Sequence, residues 1–372
     1  MQKTGTTHKT EMYENPAPGA ELFASPANGP WAGGAHLVLL PTEGCNLRCV
    51  YCYQGHQPVT MSSAMQASVR RLIELLVVER EVPRLHIEWY GGEPLAAWSI
   101  VEAISTFAHD LTEDRGVDFT MSMTTNATLL TPQRFERLTE LGCADYQITI
   151  DGPPEEHDQR RITAGGRGSF TKVWAALIVM KASHAAFRTV VRLGFDRANR
   201  EAIRRWLPEL ARHFGGDDRF QFYARPISYP TGSDLTCSPE ESGRFAADLR
   251  ARLAGSGLNV VDMAKESRPG GLGCHAGRSN TVMIGPDGTL HKCAVGLETA
   301  QNNLGVLRRD GRLEVDLPLW TRWVSAKRPC SVAVGGPASP ADACPMGPEL
   351  ACPMTPRGVK ASSAACPMAP PA

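Results

Sequence analysis

The fold and the chemistry of this chain both follow from the segment Thr42-Glu43-Gly44-Cys45-Asn46-Leu47-Arg48-Cys49-Val50-Tyr51-Cys52-Tyr53. Its three cysteines fall on a glycine-bearing loop that directly follows the apolar run from His36 to Leu40. Such a loop can wrap one corner of an iron–sulfur cube, with one thiolate on each of three irons. The fourth iron is then open to a small molecule, which indicates chemistry and not a closed structural site.

A zinc site is the alternative for the same three cysteines. Structural zinc usually joins two CxxC knuckles, and the sequence has no second CxxC beside Cys49 to Cys52. The spacing alone favours the cluster and leaves zinc open.

The surrounding residues resemble a known family. The CxxxCxxC spacing, with Tyr51 just before the third cysteine, resembles the signature of the radical S-adenosylmethionine (radical SAM) enzymes. The resemblance implies a [4Fe–4S] cluster on Cys45, Cys49 and Cys52, whose open iron binds S-adenosylmethionine. It also implies that one-electron reduction, by a donor such as flavodoxin or ferredoxin, releases a 5′-deoxyadenosyl radical.

Composition favours a cytoplasmic enzyme. The chain has 372 residues with 42% hydrophobic content, enough for a large core. Lysine plus arginine equals aspartate plus glutamate at 39 each, so overall charge predicts neither a nucleic-acid nor a membrane partner. The first 35 residues lack the pattern of a secretory signal, and no apolar run approaches the roughly 20 residues that span a bilayer. The grouping of the 11 cysteines suggests metal ligation in a reducing compartment.

Strand and helix patterns alternate through the middle of the chain. Apolar or β-branched runs predict six strands, at His36–Leu40, Leu85–Tyr90, Phe119–Thr125, Tyr146–Ile150, Thr189–Phe195 and Phe220–Ile227. Amphipathic patterns predict helices between them, at Met61–Glu81, Ala97–Arg115, Thr131–Leu141, Phe170–Ser183 and Asn199–Phe214. The alternation predicts a parallel α/β architecture. Periodicity does not separate an open sheet from a partial barrel, whereas the radical SAM resemblance implies a partial (β/α)6 TIM-type barrel.

Chemistry in such a barrel lies at the carboxyl ends of the strands. The second strand ends in Tyr90-Gly91-Gly92-Glu93-Pro94, in which two glycines permit close backbone approach and Glu93 supplies a carboxylate acceptor. An ordinary turn would also fit, but the run looks like the family's GGEP motif, which holds the amino group of S-adenosylmethionine.

Polar residues also follow the later strands. Thr125 and Asn126 end the third strand, and Asp151 ends the fourth. They are candidates for cofactor contact, although side chains of this kind also cap helices. Arg192, on the fifth strand, is a further candidate that can neutralise a carboxylate near the barrel centre, and Asn199 follows it.

The run from Asp151 to Arg160 resembles the DGP…HD..R segment of peptide-modifying radical SAM proteins. A structural role is expected for part of it, with Asp158 paired to Arg160 as a brace for the loop.

The last hundred residues carry a second cysteine group. Two apolar runs around Pro286-Asp287-Gly288 predict a β-hairpin that brings Cys293 back toward Cys274. The spacing resembles the opening of the SPASM extension, an auxiliary iron–sulfur module. The domains expected are an N-terminal extension at 1–35, the core barrel at 36–230, a helical linker at 231–266 and a SPASM-like domain at 267–372.

The auxiliary metal set departs from the full SPASM pattern. Its candidate ligands are Cys274, Cys293, Cys330, Cys344, Cys352 and Cys366. Six thiolates are too few for two fully ligated clusters, so the sequence does not decide between one auxiliary cluster and two. The sequence suggests a core position for Cys143 and leaves Cys237 undecided, and it identifies no catalytic acid or base.

Radical SAM proteins with SPASM-like extensions usually modify a polypeptide. The resemblance therefore implies an oxidoreductase that crosslinks a ribosomally synthesised precursor peptide. Sulfatase maturation, which forms formylglycine, is the alternative, but those maturases have an aspartate base directly after the cysteine that corresponds to Cys293. Ala294 stands here instead. An alternative of another class is a non-enzymatic iron–sulfur or zinc carrier.

Overall fold

One mixed sheet organises the protein in a computed structural model that describes residues 30–229, 232–261 and 275–325. Seven strands lie parallel and in sequence order. They are β1 (Ala35–Leu39), β2 (Arg84–Trp89), β3 (Asp118–Thr125), β4 (Cys143–Ile150), β5 (Arg188–Phe195), β6 (Phe220–Pro226) and β7 (Asn259–Val260). This sheet has the strand order of a partial TIM-type barrel.

The C-terminal part of the described chain extends the same sheet. Strand β8 (Thr281–Ile284) pairs in parallel with β1, and β9 (Thr289–His291) returns antiparallel to β8. Two further antiparallel strands, β10 (Gly305–Leu307) and β11 (Leu313–Val315), complete that edge. The predicted hairpin is therefore present and lies beside the strand that leads into the cysteine loop.

Helices connect the parallel strands. They are α1 (Ser63–Glu74, continued by a π turn at Leu75–Glu79), α2 (Trp98–Arg115), α3 (Pro132–Glu140), α4 (Pro154–Arg160), α5 (Phe170–Ala182), α6 (Arg200–Phe214), α7 (Pro239–Gly255) and α8 (Leu317–Ser325). Capping residues set several starts. The Thr131 hydroxyl accepts from the backbone N–H of Arg134, and Ser238 and Glu241 form a reciprocal capping box on α7.

Apolar and polar residues alternate along β2, so that one face of the strand packs in the core and the other faces the lumen of the partial barrel. Leu85, Ile87 and Trp89 are fully buried in the same apolar cluster as residues of α1 and α2. The intervening His86 and Glu88 point to the opposite face, where they contact polar groups of neighbouring strands. The lumen face is therefore polar, as a binding cavity needs.

The predicted strands and helices of the barrel are confirmed to within three residues at each end. Helix α4 is an addition, because its seven residues lie in a segment for which no helix is predicted. The domain boundaries at 36, 231 and 267 stay predictions. No helix in the described parts of the chain is long and apolar enough to cross a membrane.

Candidate cofactor site

The cysteine loop is fastened at its base and along its length. Thr42 donates its hydroxyl proton to the Val59 carbonyl at 2.7 Å, which closes the base. The backbone N–H groups of Arg48 and Val50 donate to the carbonyls of Ile162 and Arg160, at 2.7 and 2.9 Å. The loop is thus held against the segment that follows α4.

The three cysteines line a cavity of about 640 Å³ at the carboxyl ends of the strands. This volume is in the range of small-molecule and cofactor sites. Predicted site residues in its wall are Cys45, Cys49, Cys52, Tyr51, Gly91, Gly92, Thr125, Asn126 and Arg192. The fold therefore brings nine of the predicted residues to one cavity.

The thiols lie close to one another and are only partly exposed. Burial raises the pKa of Cys45 to about 11, with smaller contributions from Glu93 and from the thiols of Cys49 and Cys52. Among the described residues, no three His, Cys, Asp or Glu side chains are arranged to hold a single metal ion. A cube takes one thiolate on each of three irons, so its ligands need not converge on one point.

The two glycines after β2 are required by the cysteine loop itself. A Cβ atom on Gly92 would lie 2.3 Å from the Gly44 carbonyl oxygen and 2.4 Å from that of Glu43. Gly91 has a φ of +119°, and a Cβ there would lie 2.5 Å from the Thr42 carbonyl oxygen. Both glycines line the cavity, but their first effect is to let the loop pack against the end of β2.

Glu93 is fully buried and braces the end of β3. One carboxylate oxygen accepts from the Thr125 hydroxyl at 2.7 Å and from the Leu95 amide at 3.0 Å. The other accepts from the Asn126 amide at 2.7 Å. Pro94 starts a short 3-10 turn and is also buried. Contact of Glu93 and Pro94 with the cofactor stays a prediction, since neither is among the residues that line the cavity.

Asn126 connects β3 to the cysteine loop. Its side-chain amide donates to the Asn46 carbonyl oxygen at 2.9 Å and lies 3.6 Å from the Cys45 sulfur. The side chain therefore sets the position of one predicted metal ligand.

Tyr51, Asp151 and Arg161 form a buried chain of hydrogen bonds. The Tyr51 hydroxyl donates to Asp151 Oδ2 at 2.6 Å and accepts from Arg161 Nη1 at 2.7 Å. The remaining oxygen of Asp151, Oδ1, is buried without a hydrogen-bond partner, as is Arg161 Nε. Asp151 thus holds a residue of the cysteine loop, and its direct cofactor contact stays a prediction.

Arg192 is half-buried in the cavity wall, and its Nε has no hydrogen-bond partner. Asn199 is fully buried, and its amide donates to the carbonyls of Asp151 and Gly194, at 2.7 and 2.9 Å. Asn199 therefore ties the ends of β4 and β5 together, whereas Arg192 has a group available to a ligand.

The predicted pairing of Asp158 with Arg160 is wrong. Arg160 makes a two-pronged ion pair with Asp196 at 2.8 Å, and Asp158 accepts from the backbone amides of Ser169 and Phe170. The physical reason is α4, which turns the two side chains toward different neighbours.

The remaining cysteines have separate environments. Cys143 is fully buried in the core, as expected, and Cys237 is buried in the wall of the same cavity as the cysteine loop. Cys293 is buried just after β9, with its backbone amide bonded to Asn302. The other predicted auxiliary ligands, Cys274, Cys330, Cys344, Cys352 and Cys366, lie outside the described residues.

The sequence-based prediction misses several polar and charged residues of this site, among them Asn46, Arg161 and Arg225. Arg161 and Arg225 line the cavity, and Asn46 positions Asn126. Arg161 directly follows Arg160 in the DGP…HD..R run, so that motif held the signal for it. Nothing local marks Arg225, because its place in the wall depends on the end of β6.

The residues present fit the implied cofactors. Three thiols suit an iron–sulfur cube with one open iron. The unpartnered buried atoms of Arg161 and Arg192 offer donors for an anionic group such as a carboxylate.

The chain is similar to radical SAM proteins. Residues 39–207 match the model of the Radical SAM superfamily. The serine-type anaerobic sulfatase-maturating enzyme of Bacteroides thetaiotaomicron is 28% identical over 166 residues, which cover 41% of this chain and 38% of that protein. Radical SAM cyclopropyl synthase TigE of Paramaledivibacter caminithermalis is 28% identical over 187 residues, covering 45% of this chain and 38% of that protein.

A solved structure has the same fold. The chain of anSMEcpe with bound AdoMet and the Cp18Cys peptide aligns with a TM-score of 0.57 at 19% identity, covering 77% of this chain and 79% of that one. In sequence, the chain spans about two-fifths to half the length of four of the curated relatives that it matches, including the two named above.

The matched superfamily uses the two cofactors that the sequence predicts, a [4Fe–4S] cluster and S-adenosylmethionine. Residues 39–207 of this chain therefore form a radical SAM domain.

Proposed function

We propose that this protein reductively cleaves S-adenosylmethionine and abstracts hydrogen from a ribosomally synthesised peptide, in which it installs an oxidative crosslink. The observation that carries the proposal is the placement of Cys45, Cys49 and Cys52 around one cavity of about 640 Å³ at the carboxyl ends of the strands. When bound there, the cluster and S-adenosylmethionine supply a 5′-deoxyadenosyl radical that can take hydrogen from an unactivated C–H bond.

The chain's own residues bind and orient the cofactors. Gly91 and Gly92 let the cysteine loop sit against β2, and Asn126 holds Cys45. Arg192, with an unpartnered Nε in the cavity wall, is proposed to bind a carboxylate. These contacts hold the reactants in one orientation, which is a large part of what an enzyme contributes to a radical abstraction.

A crosslink requires the loss of one further electron and one proton from the substrate. We assign the electron to an auxiliary iron–sulfur centre that includes Cys293, which lies just after the hairpin beside β1. A peptide substrate is supported by anSMEcpe, whose structure contains a bound peptide.

Formylglycine formation is the second candidate, because a sulfatase-maturating enzyme is among the relatives. The residue after Cys293 is Ala294, which cannot accept a proton. We therefore place crosslinking first.

Anaerobic reconstitution tests the proposal. The protein is loaded with iron and sulfide, reduced, and assayed for 5′-deoxyadenosine from S-adenosylmethionine. Metal binding without cofactor cleavage would instead favour a non-enzymatic carrier. Peptides encoded beside the gene are then tested as substrates by mass spectrometry, where a crosslink appears as the loss of two hydrogens. Modification of an adjacent sulfatase in place of a peptide would favour the second candidate.

A further inference from the structure

A buried arginine stands beside the cysteine loop. Arg161 is 8% exposed, and it is the residue at which the chain leaves α4. Its Nη1 donates to the Tyr51 hydroxyl at 2.7 Å, and Tyr51 lies between Cys49 and Cys52 in the loop. The guanidinium therefore reaches the loop that carries the predicted metal ligands.

The position of Arg161 is set by both the loop and β4. The backbone of the same segment accepts from the loop at Arg160 and Ile162. Through Tyr51, Arg161 is also joined to Asp151, which is fully buried at the end of β4. Two connections of this kind leave the guanidinium little freedom to move away from the thiols.

A buried arginine needs a nearby negative charge. Asp151 supplies one, but it is reached through Tyr51, and Arg161 Nε has no hydrogen-bond partner. Arg161 lines the same cavity as Cys45, Cys49 and Cys52. Its buried positive charge therefore stabilises negative charge that is added in this cavity.

Reduction of an iron–sulfur cluster adds one negative charge. A fixed positive charge nearby favours the reduced form, because net charge and hydrogen bonding around the sulfurs set the reduction potential of such clusters. Arg161 is placed to have this effect because it contacts Tyr51 in the loop itself, whereas Arg192 and Arg225 line the cavity from β5 and β6.

We propose that Arg161 is a positioning residue that raises the reduction potential of the cluster on Cys45, Cys49 and Cys52 through its charge, and that it holds Tyr51 at the cavity wall. The inference rests on the proposed function, since it requires a cluster at these cysteines. Arg161 would thus make the cluster easier to reduce without itself binding iron.

The test is a redox titration of the reconstituted cluster, followed by electron paramagnetic resonance. In R161Q, we expect the ratio of reduced to oxidised cluster at a fixed ambient potential to fall by roughly tenfold. That change corresponds to about 59 mV for a one-electron couple. R161K keeps the charge, and we expect its potential to remain near that of the wild type.

Two further variants separate charge from contact. Y51F removes the hydroxyl but no charge, so its potential should stay near the wild-type value while its affinity for S-adenosylmethionine falls. Arg188→Gln is the control for the loss of one positive charge away from the cavity. Arg188 lies at the amino end of β5, the strand that carries Arg192, and is paired with Asp145. Should R161Q fail to fold, R161M replaces it as the neutral variant.

The outcomes are distinguishable. A wild-type potential in R161Q with a full iron load overturns the inference, and so does an equal shift in R161K and R161Q. If the wild-type protein takes up no iron at all, the proposed function fails first and the inference fails with it.

Discussion

The α-carbon of Gly92 packs directly against the carbonyl oxygen of Gly44, which would lie 2.3 Å from a Cβ atom on Gly92. This contact joins the turn after β2 to the loop after β1, so the glycine-rich motif and the cysteine motif depend on each other. The two motifs are therefore one structural unit and not two separate ligand sites.

We expect Gly92→Ala to displace the cysteine loop. The added methyl group has backbone atoms as its nearest neighbours, and overpacking of this kind costs about 1–3 kcal/mol or more in the free energy of unfolding. Urea denaturation and iron uptake after reconstitution measure the two effects. Gly243→Ala is the control: it lies inside α7 with nothing within 4 Å of its Cβ position, so the alanine should be neutral or stabilising. Equal iron uptake in both variants would contradict the prediction.

Cys49→Ala should abolish formation of 5′-deoxyadenosine while the protein remains folded. The loss of one of three thiolates leaves the cluster under-ligated, whereas the loop keeps its backbone hydrogen bonds. Circular dichroism checks the fold, and chromatography measures the nucleoside. Cys237→Ala, in the same cavity wall but outside the predicted ligand set, serves as the comparison. Nucleoside production that survives in Cys49→Ala counts against this ligand assignment.

Cys293→Ala should retain cofactor cleavage and lose part of the iron. Cys293 lies just after β9 and is a predicted auxiliary ligand outside the cysteine loop. Iron and sulfide per chain, measured beside the yield of 5′-deoxyadenosine, report both quantities on one sample. With a substrate peptide, the yield of crosslinked product should fall. Full iron content and wild-type turnover would make Cys293 structural at most.

Arg160→Met should destabilise the protein by about 3–5 kcal/mol, because it leaves a buried carboxylate without its partner. Arg160 and Asp196 are 4% and 0% exposed and are joined by two bonds of 2.8 Å. The matched control is Arg188→Met, which removes a half-exposed pair with Asp145 and should cost no more than ~1 kcal/mol. Chemical denaturation of both variants measures the loss in the free energy of unfolding. Equal losses would show that the buried pair stabilises the protein no more than the half-exposed pair does.

Stability should fall as the pH drops below about 6.5, and His157 should account for part of the fall. Burial, helped by the charge of Arg161, lowers the pKa of His157 to about 2. The unfolded chain therefore binds a proton below its ordinary pKa of 6.5, while the folded protein does not until about pH 2. Within this window the group removes up to about 1.4 kcal/mol of stability per pH unit.

His157→Asn removes that titration. We expect the slope of unfolding free energy against pH to flatten between pH 6 and pH 4, measured by urea denaturation at each pH. His157 is hydrogen-bonded to the Asp151 amide and the Ser169 hydroxyl, and the loss of these bonds lowers the stability of the variant at all pH values. The slope, and not the absolute stability, is therefore the quantity that tests the prediction.

Local sequence patterns predicted the alternating strands and helices, because the burial of each element is visible in the spacing of its own apolar residues. The alternation along β2 and the burial of Cys143 at the start of β4 can be predicted from the local sequence, without knowing which strands pair. The hairpin around Pro286-Asp287-Gly288 likewise depends on neighbouring residues alone. Helix α4 escaped prediction because its polar, short sequence has no apolar periodicity.

The sequence by itself determined the radical SAM signature, the order of the strands and helices, and nine of the residues that line the cavity. Only the tertiary structure decided the partners: Glu93 braces Thr125 and Asn126, Arg160 pairs with Asp196, and Tyr51 reaches Asp151 across a hundred positions of chain. The reason is physical. Periodicity and spacing depend on residues a few positions apart, whereas the partner of a buried charge depends on which strand ends the parallel sheet brings together.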